Sequence, residues 1–186
     1  MFQIRIHGRG GQGVVSAAEM LSIAAFEEGK HSQAVPSFGS ERMGAPVVAY
    51  VRIDDDEIEW REPVLEPNLL IIQDPTLFAA IDVFSGLKED GYVLINSRKT
   101  PEELGIEEAT KTLPDGHVAT IPATELAMQH LKRPTPNTVL LGAFTGMSGI
   151  VKLESVCKAI QKKFPGKVGE MNVSAAQAAY NAAVAD

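Results

Sequence analysis

The stretch Phe2-Gln3-Ile4-Arg5-Ile6-His7-Gly8-Arg9-Gly10-Gly11-Gln12-Gly13 carries the strongest indication of the fold. Its first half alternates apolar and polar side chains, which is typical of a β-strand. Residues 14–28 have the apolar spacing of a helix, and Gly29 follows at a position where helices commonly end. A strand, a glycine-rich turn and a helix in this order leave backbone N–H groups free at the helix start, where they favour an anion. We call residues 8–13 the glycine loop and predict a phosphate site there.

The residues after the glycine loop argue against its two commonest ligands. A dinucleotide-binding unit usually has Asp or Glu about 20 residues past the glycines, but residues 31–36 contain neither. A phosphate loop of the ATPase type ends in Gly-Lys-Ser or Gly-Lys-Thr, whereas this loop ends in Gln12-Gly13-Val14. The NAD and ATP interpretations are therefore weakened. Two explanations of the glycines stay open, contact with a ligand and close packing of strand against helix.

Composition limits the classes of protein to which the chain can belong. Its 186 residues suit a single domain, 1–186, and 45% hydrophobic with 22% charged residues is ordinary for a globular protein. A net charge of −7 argues against nucleic acid as a partner. No apolar run reaches the length of a membrane span and no cleavable signal opens the chain, so we expect a cytoplasmic protein without a membrane partner. The single cysteine excludes an iron–sulfur cluster held by this chain alone, since a cluster takes about four cysteine ligands.

Further apolar runs predict the rest of the sheet. Residues 47–53 are rich in β-branched side chains and predict a strand, which an acidic turn joins to a second hairpin strand at residues 58–60. Three more strands and two helices are predicted, the strands at 69–72, 91–96 and 117–122 and the helices after Pro75 and at 123–131. This alternation indicates an α/β fold, a Rossmann-like, mostly parallel sheet with helices on both faces.

The C-terminal part of the chain is predicted to be helical only. Helices are expected at residues 138–150, 153–164 and 172–185. Gly142, Gly146 and Gly149 lie within the first of these helices. Glycines at such spacing in an apolar segment indicate that another backbone approaches closely, either within this chain or from a partner subunit.

The connection Pro36-Ser37-Phe38-Gly39-Ser40-Glu41-Arg42-Met43-Gly44-Ala45-Pro46 has an unusual composition. Two prolines and two glycines exclude a regular helix or strand, while the adjacent Glu41 and Arg42 are typical of a functional loop. The alternative is a long surface connection with solvated charges. Ligands of parallel sheets bind at the carboxyl ends of the strands, where the glycine loop also lies.

No arrangement of side chains indicates catalysis by this chain alone. The four histidines are scattered without metal-ligand spacing, and no Gly-x-Ser-x-Gly motif surrounds a serine. His7, beside the glycine loop, either touches a bound anion or is a hydrogen-bonded strand end. The run of aspartates at residues 54–56 is interpreted as a solvated turn, and Cys157 as a small core residue. We therefore predict no catalytic residue and no metal ligand.

Two motifs together resemble a known family. They are Gly8-Arg9-Gly10-Gly11-Gln12-Gly13-Val14-Val15-Ser16-Ala17-Ala18-Glu19 and Gln33-Ala34-Val35-Pro36-Ser37-Phe38-Gly39-Ser40-Glu41-Arg42-Met43-Gly44-Ala45-Pro46. The combination resembles the gamma subunit of the 2-oxoacid:ferredoxin oxidoreductases, particularly the pyruvate (pyruvate synthase) and 2-oxoisovalerate members. The likeness continues at Asn137-Thr138-Val139-Leu140-Leu141-Gly142-Ala143 and extends more loosely into the C-terminal helix.

The resemblance implies a multisubunit enzyme that oxidatively decarboxylates a 2-oxoacid, with pyruvate favoured, to acyl-coenzyme A and CO₂ while it reduces ferredoxin. Thiamine diphosphate, Mg²⁺ and iron–sulfur clusters would be held by other subunits. This chain would pack on the thiamine diphosphate subunits and help to bind coenzyme A. The implied cofactor-binding residues are Gly8, Arg9, Gly10, Gly11, Gln12, Gly13, Ser37, Phe38, Gly39, Glu41, Arg42 and Asn137. Exposed apolar surface on the glycine-containing helix and instability without partners are also expected.

A competing interpretation is a stand-alone Rossmann-like protein that binds or senses a nucleotide without catalytic activity. It predicts a monomer or homodimer with a ligand of its own. A purely structural role for both loops is the other alternative.

Overall fold

The computed structural model describes residues 1–37 and 42–185, and the elements named below belong to this part of the chain. The strands are β1 Phe2–Arg9, β2 His31–Pro36, β3 Pro46–Asp54, β4 Leu69–Ile72, β5 Tyr92–Asn96 and β6 Val118–Ile121. The α-helices are α1 Val14–Glu27, α2 Glu107–Thr110, α3 Ala123–Leu131, α4 Asn137–Ser148, α5 Leu153–Lys163 and α6 Lys167–Ala185. A 3₁₀ helix, Pro75–Ala79, follows β4. None of the helices in the described residues is long and apolar enough to cross a membrane.

The strands form one sheet in which all but β3 run in the same direction. Their order is β2-β3-β1-β4-β5-β6. β1 pairs in parallel with β4, β4 with β5, and β5 with β6, as expected from the continuous apolar run of β4, which is buried on both faces. β3 is antiparallel to both β1 and β2. The predicted α/β fold with a mostly parallel sheet is therefore confirmed.

The two faces of the sheet are covered differently. On one face α1 and helices α3–α6 enclose the larger core, in which Ile4, Ile6 and Ile71 meet Leu21 and Phe144. The other face is covered by the 3₁₀ helix, by the region of the short α2 and by irregular segments, which pack on side chains such as those of β4 and β5.

Helices on both faces of the sheet were predicted. The face opposite α1, however, carries only two of the described helices, the short α2 and the 3₁₀ helix. The helix expected after Pro75 is a 3₁₀ helix that ends at Ala79. The Asp82 carboxylate accepts a hydrogen bond from the Phe84 N–H (3.2 Å), a local turn that competes with helix continuation.

The hairpin predicted after β3 is wrong. Residues 55–68 form neither helix nor strand, and the other partner of β3 is β2, which sequence patterns left unassigned. Because β3 lies between β2 and β1, both of its edges are already hydrogen-bonded and none is free for residues 58–60.

The predicted helical C-terminal part is confirmed, and its glycines have a clear role. A Cβ atom placed on Gly142 would lie 1.9 Å from the Ala176 carbonyl oxygen of α6. The close backbone approach predicted from the glycines therefore occurs within this chain. Residues 137–145 of α4 are all buried, so the exposed apolar surface expected on this helix is absent from that stretch. Large exposed apolar side chains occur elsewhere, including Trp60 and Leu65.

The direction of the strands brings the two predicted functional loops to one edge of the sheet. The carboxyl end of β1 lies there, and Arg9 at this end pairs with Pro46 at the start of the oppositely directed β3. The connection from β2 to β3 is consequently at the same edge as the glycine loop. The start of α4 reaches this edge as well, because the Asn137 side-chain amide donates to the Gly13 carbonyl (3.4 Å).

Candidate anion site at the glycine loop

The glycine loop leads from β1 into an open helix start. Gly13 is the N-cap residue of α1 in a left-handed conformation (φ 73°), and no side chain caps the helix. The first turn of α1 carries no acidic residue. Its N–H groups therefore retain the partial positive charge of an uncapped helix start, the arrangement that favours phosphate and other anions.

A small cavity lies against this helix start. Its volume is about 290 Å³, and it is lined by Arg9, Gly10, Gly11, Gly13, Val14, Val15, Ser16 and Val47. This is near the lower end of the range of small-molecule sites, about 300 to 1,000 Å³. The cavity suits a phosphate group with its immediate neighbours rather than a whole dinucleotide. A second cavity of about 530 Å³ lies next to the loop, and its lining includes Gln12, Gln73, Asn96 and Arg98.

Packing explains two of the glycines without a ligand. A Cβ atom on Gly10 would lie 2.2 Å from the Arg42 carbonyl oxygen, so only glycine lets the two loops approach this closely. A Cβ atom on Gly13 would lie 2.4 Å from the Asn137 side-chain nitrogen. Close packing and ligand binding are therefore compatible explanations of the motif, because the packing of these glycines leaves the helix start open.

The second half of the 36–46 connection is hydrogen-bonded to the glycine loop. The Gly10 N–H donates to the Ala45 carbonyl (2.9 Å), and the Gly44 N–H donates to the Gly10 carbonyl (3.1 Å). The side chain of Arg42 is exposed beside this contact.

Ser37, at the start of the same connection, donates its N–H to the Val48 carbonyl (3.0 Å). Phe38, Gly39 and Glu41, which the sequence also nominates, lie outside the described residues.

Arg9 and Gln12 are held by the connection that follows β4. The Gln12 amide donates to Asp74 (2.9 Å) and its oxygen accepts from the Arg9 N–H (2.7 Å). The Arg9 guanidinium lies 3.3 Å from the Asp74 carboxylate and donates to the Thr76 hydroxyl (2.8 Å). Part of the Arg9 charge is therefore compensated within the chain.

The same contacts determine the state of Asp74. Burial acts to raise the pKa of its carboxyl, but hydrogen bonds from Thr76 and Gln12 and the charge of Arg9 outweigh it, so the pKa lies below its ordinary value. Asp74 and Thr76 were not predicted from the sequence as parts of the candidate site. The signal was an acidic residue two positions after the buried strand β4, at the edge where ligands bind.

His7 does not line the cavity at the helix start. Its imidazole is 6% exposed, and neither ring nitrogen has a hydrogen-bond partner in the described residues. Burial, assisted by the charge of Arg5, lowers the pKa of His7 from 6.5 to about 4. His7 is therefore a neutral core residue at neutral pH, unlike either sequence-based interpretation of it.

Comparison with known proteins identifies the family. The family model described as pyruvate ferredoxin/flavodoxin oxidoreductase matches residues 3–182. The chain is 49% identical over 180 residues to pyruvate synthase subunit PorC of Methanothermobacter marburgensis, with 97% of this chain and 96% of that protein covered. It is 47% identical over 184 residues to the pyruvate/ketoisovalerate oxidoreductases common subunit gamma of Thermococcus kodakarensis, with 99% and 98% covered.

Solved structures agree with this assignment. The crystal structure of pyruvate oxidoreductase subunit PORC from Thermotoga maritima superposes with a TM-score of 0.81 at 39% identity, covering 97% of this chain and 95% of that chain. The resemblance predicted from the glycine loop and the 36–46 connection is thereby confirmed. The chain belongs to the pyruvate ferredoxin/flavodoxin oxidoreductase family, in which it corresponds over nearly its whole length to the PorC and gamma subunits.

Proposed function

We propose that this chain is the gamma subunit of a 2-oxoacid:ferredoxin oxidoreductase that acts on pyruvate, and that its glycine loop binds a phosphate of coenzyme A. The overall reaction converts pyruvate and coenzyme A to acetyl-coenzyme A, CO₂ and a proton, and passes two electrons to ferredoxin. The observation that supports the first part is the end-to-end correspondence with relatives named as subunits of such enzymes. The open start of α1 supports the second part.

Other subunits would carry the redox chemistry. Thiamine diphosphate with Mg²⁺ would supply decarboxylation there, and iron–sulfur clusters would conduct the electrons. With one cysteine, this chain has too few ligands for a cluster of its own, since a cluster takes about four. We place it as one gamma-type domain, residues 1–186, packed on the thiamine diphosphate subunits in a cytoplasmic complex.

The task left to the chain's own residues is to hold an anionic substrate in position. The start of α1 offers backbone N–H groups, and no acidic side chain of its first turn opposes an anion. Arg42 is exposed and its backbone meets the glycine loop at Gly10, so its guanidinium is suited to donate to a bound phosphate. Arg9, which is bound to Asp74 and Thr76, fixes the loop in place and adds only part of its charge.

The gamma subunit does not select the 2-oxoacid in this proposal. The name of the Thermococcus kodakarensis relative describes one gamma subunit common to the pyruvate and the ketoisovalerate oxidoreductases. Selection between these acids would then lie in the other subunits. The Methanothermobacter marburgensis relative is named as a pyruvate synthase subunit, which favours pyruvate for this chain.

The alternative of a stand-alone nucleotide sensor is less favoured. The chain is matched over nearly its whole length to relatives that are named as subunits of oxidoreductases, which favours the subunit interpretation. In addition, residues 31–36, which follow the glycine loop at the distance where an acidic residue would bind a ribose, contain neither Asp nor Glu.

Ser16→Asp offers a sharp test of the phosphate site. Ser16 lines the cavity in the first turn of α1, so a carboxylate there would repel a bound phosphate. The same carboxylate favours the helix start, by about 0.5 kcal/mol, so the fold is expected to stay intact. We expect the KM for coenzyme A to rise at least about tenfold, the equivalent of 1.4 kcal/mol, with little change in kcat.

The assay uses the assembled complex, purified without oxygen, and measures pyruvate-dependent and coenzyme A-dependent dye reduction. Thr112→Asp adds the same charge at an exposed position outside the cavity and serves as the control. Arg42→Ala is measured alongside, and an unchanged KM for coenzyme A would remove its proposed role. If Ser16→Asp leaves that KM unchanged, the glycine loop is structural only. If the wild-type chain assembles with no thiamine diphosphate or iron–sulfur subunits, the gamma assignment itself fails.

A further inference from the structure

An acidic segment, residues 54–66, covers part of the sheet face opposite α1. It contains seven carboxylates and one guanidinium, and so accounts for six of the chain's seven net negative charges. Beyond Asp54 it has neither helix nor strand. Irregular segments of this length inside a compact fold are usually functional or disordered.

This segment is anchored, which argues against disorder. Arg52, only 1% exposed, donates to the Glu62 carbonyl and to the side-chain oxygen of Gln3 (3.2 Å). The Gln3 amide in turn donates to the Glu66 carbonyl (3.4 Å). Val64 is buried with 1% of its surface exposed. Hydrogen bonds from the sheet therefore hold the backbone of the segment in place, and the side chains next to these anchors point toward solvent.

The outward side chains form a groove with apolar walls and an acidic rim. Its volume is about 330 Å³, and it is lined by Gln3, Arg52, Trp60, Glu62, Pro63, Leu65 and Glu66. Trp60 is 59% exposed and Leu65 is 75% exposed. Within the described residues neither Glu62 nor Glu66 forms a salt bridge, and the one cation that lines the groove, Arg52, is buried and acts on Glu62 through its charge. An exposed apolar patch with a polar rim is typical of protein interfaces, where Trp is prominent among the residues that carry binding energy.

We propose that this groove is a docking surface for a basic segment of a partner subunit, one with an aliphatic side chain flanked by lysine or arginine. The aliphatic group would fill the space between Trp60 and Leu65, and the flanking cations would pair with Glu62 and Glu66. Charge complementarity decides the occupant, because the concentration of negative charge here repels a second copy of the same surface. This inference rests on the proposed gamma-subunit function, which supplies the partner subunits.

The test uses the full-length chain, tagged and co-expressed without oxygen with the other subunits. Two variants address the groove separately, Trp60→Ala for its apolar wall and the double substitution Glu62→Lys with Glu66→Lys for its rim. Phe26→Ala controls for loss of an exposed aromatic, because Phe26 is 70% exposed on α1 at the opposite face. The exposed pair Glu89→Lys with Asp115→Lys controls for the change in charge. Urea midpoints show which variants remain folded.

We expect each groove variant to retain at least about tenfold less partner subunit than the wild type, and each control to retain the wild-type amount. The loss in the charge variant should begin at low salt, and the wild-type complex itself should weaken toward about 0.5 M salt. Carboxyl–amine cross-linking then identifies the lysine that faces Glu62 or Glu66. Reversing that lysine to glutamate should restore retention of the charge variant.

The outcomes separate the two proposals. If the wild type captures the thiamine diphosphate and iron–sulfur subunits but the folded groove variants do so equally well, the docking surface is wrong and the gamma assignment stands. If reversal of the partner lysine fails to rescue, charge pairing at this groove is wrong. If the wild type itself captures no such subunits, the proposed function is wrong.

Discussion

Replacing His7 removes a buried neutral imidazole, and we predict that this flattens the dependence of stability on pH. The side chain lies on β1 within the sheet, 6% exposed, with no hydrogen-bond partner for either nitrogen in the described residues. Burial, with the charge of Arg5, lowers its pKa from 6.5 to about 4. In the unfolded chain His7 takes up a proton near its ordinary pKa, whereas in the folded chain it does not.

The size of the effect follows from this difference. Because the folded pKa is the lower one, the stabilisation is present above about pH 6.5 and is lost as the pH falls through about 4. Each pKa unit corresponds to about 1.4 kcal/mol, so the free energy of unfolding should fall by about 3 kcal/mol across this window because of His7 alone. Below the folded pKa both states are protonated and the contribution no longer changes.

Two variants separate the effect of protonating His7 from the effect of burying a polar group without a hydrogen-bond partner. His7→Leu removes both, while His7→Asn keeps a buried polar group that does not titrate. Both should lose the fall of about 3 kcal/mol between pH 6.5 and 4. His7→Leu should also gain stability at neutral pH, since an unpaired buried polar group costs about 1 to 3 kcal/mol, less any loss from imperfect packing.

Urea unfolding at a series of pH values provides the measurement, with the free energy extrapolated to water at each pH. Carboxylates contribute to acid unfolding in every variant, so the informative quantity is the difference between variant and wild type. The exposed His31, changed to Gln, serves as the control for the loss of one histidine from the chain. A difference that does not vary with pH for His7→Leu and His7→Asn would refute the buried, unpaired state of His7.

Two further predictions concern the helix contact and the glycine loop. Gly142→Ala should lower the free energy of unfolding by about 2 kcal/mol or more, since its Cβ would meet the α6 backbone and the clash outweighs a helix-propensity gain of about 1 kcal/mol. Gly146→Ala, whose Cβ would lie 3.0 Å from the Tyr180 carbonyl, should be nearly neutral, and urea unfolding that ranks the two in reverse would contradict the packing. Asp74→Asn should cost about 1 to 2 kcal/mol at pH 7 by weakening the bonds to Gln12, Thr76 and Arg9. The pKa of Asp74 is lowered in the folded chain, so this cost should shrink as the pH falls below the ordinary pKa of an aspartate. A cost that does not change at acid pH would contradict the lowered pKa of Asp74.

Local sequence patterns predicted most of the strands because the burial of each of these strands is reflected in its own order of apolar and polar residues. The run Leu69–Ile72 is buried on both faces, and an apolar run without alternation predicts that environment directly. β2 was missed because His31–Pro36 is an edge strand of mixed polarity whose pairing depends on β3. The false hairpin at residues 58–60 arose from the same limitation. Nothing in a short alternating segment reveals that the neighbouring strand already has partners on both sides.

The two loops of the candidate site were predictable from the sequence, but the residues that hold these loops in place were not. Glycine spacing placed the candidate anion site at the start of α1, and the composition of residues 36–46 indicated the second loop. That the two loops are hydrogen-bonded follows from the direction of β3, which brings Arg42–Ala45 back to the glycine loop. The dependence of Arg9 on Asp74 is a long-range contact between two strand ends, which no local pattern encodes.

The glycines of the glycine loop can be explained from the sequence either by close packing or by phosphate binding, and the structure helps to distinguish these two explanations. Gly10 and Gly13 are required by the Arg42 carbonyl and by Asn137, so their presence alone would be explained by packing. Because Gly13 is also the N-cap residue of α1, the same packing removes a side-chain cap, but it does not require a first turn without acidic residues beside a cavity of about 290 Å³. A purely structural helix start would gain stability from an acidic side chain in its first turn. The absence of such a residue is therefore the feature that favours a ligand, and a carboxylate at Ser16 distinguishes the two explanations because it should strengthen the fold while weakening coenzyme A binding.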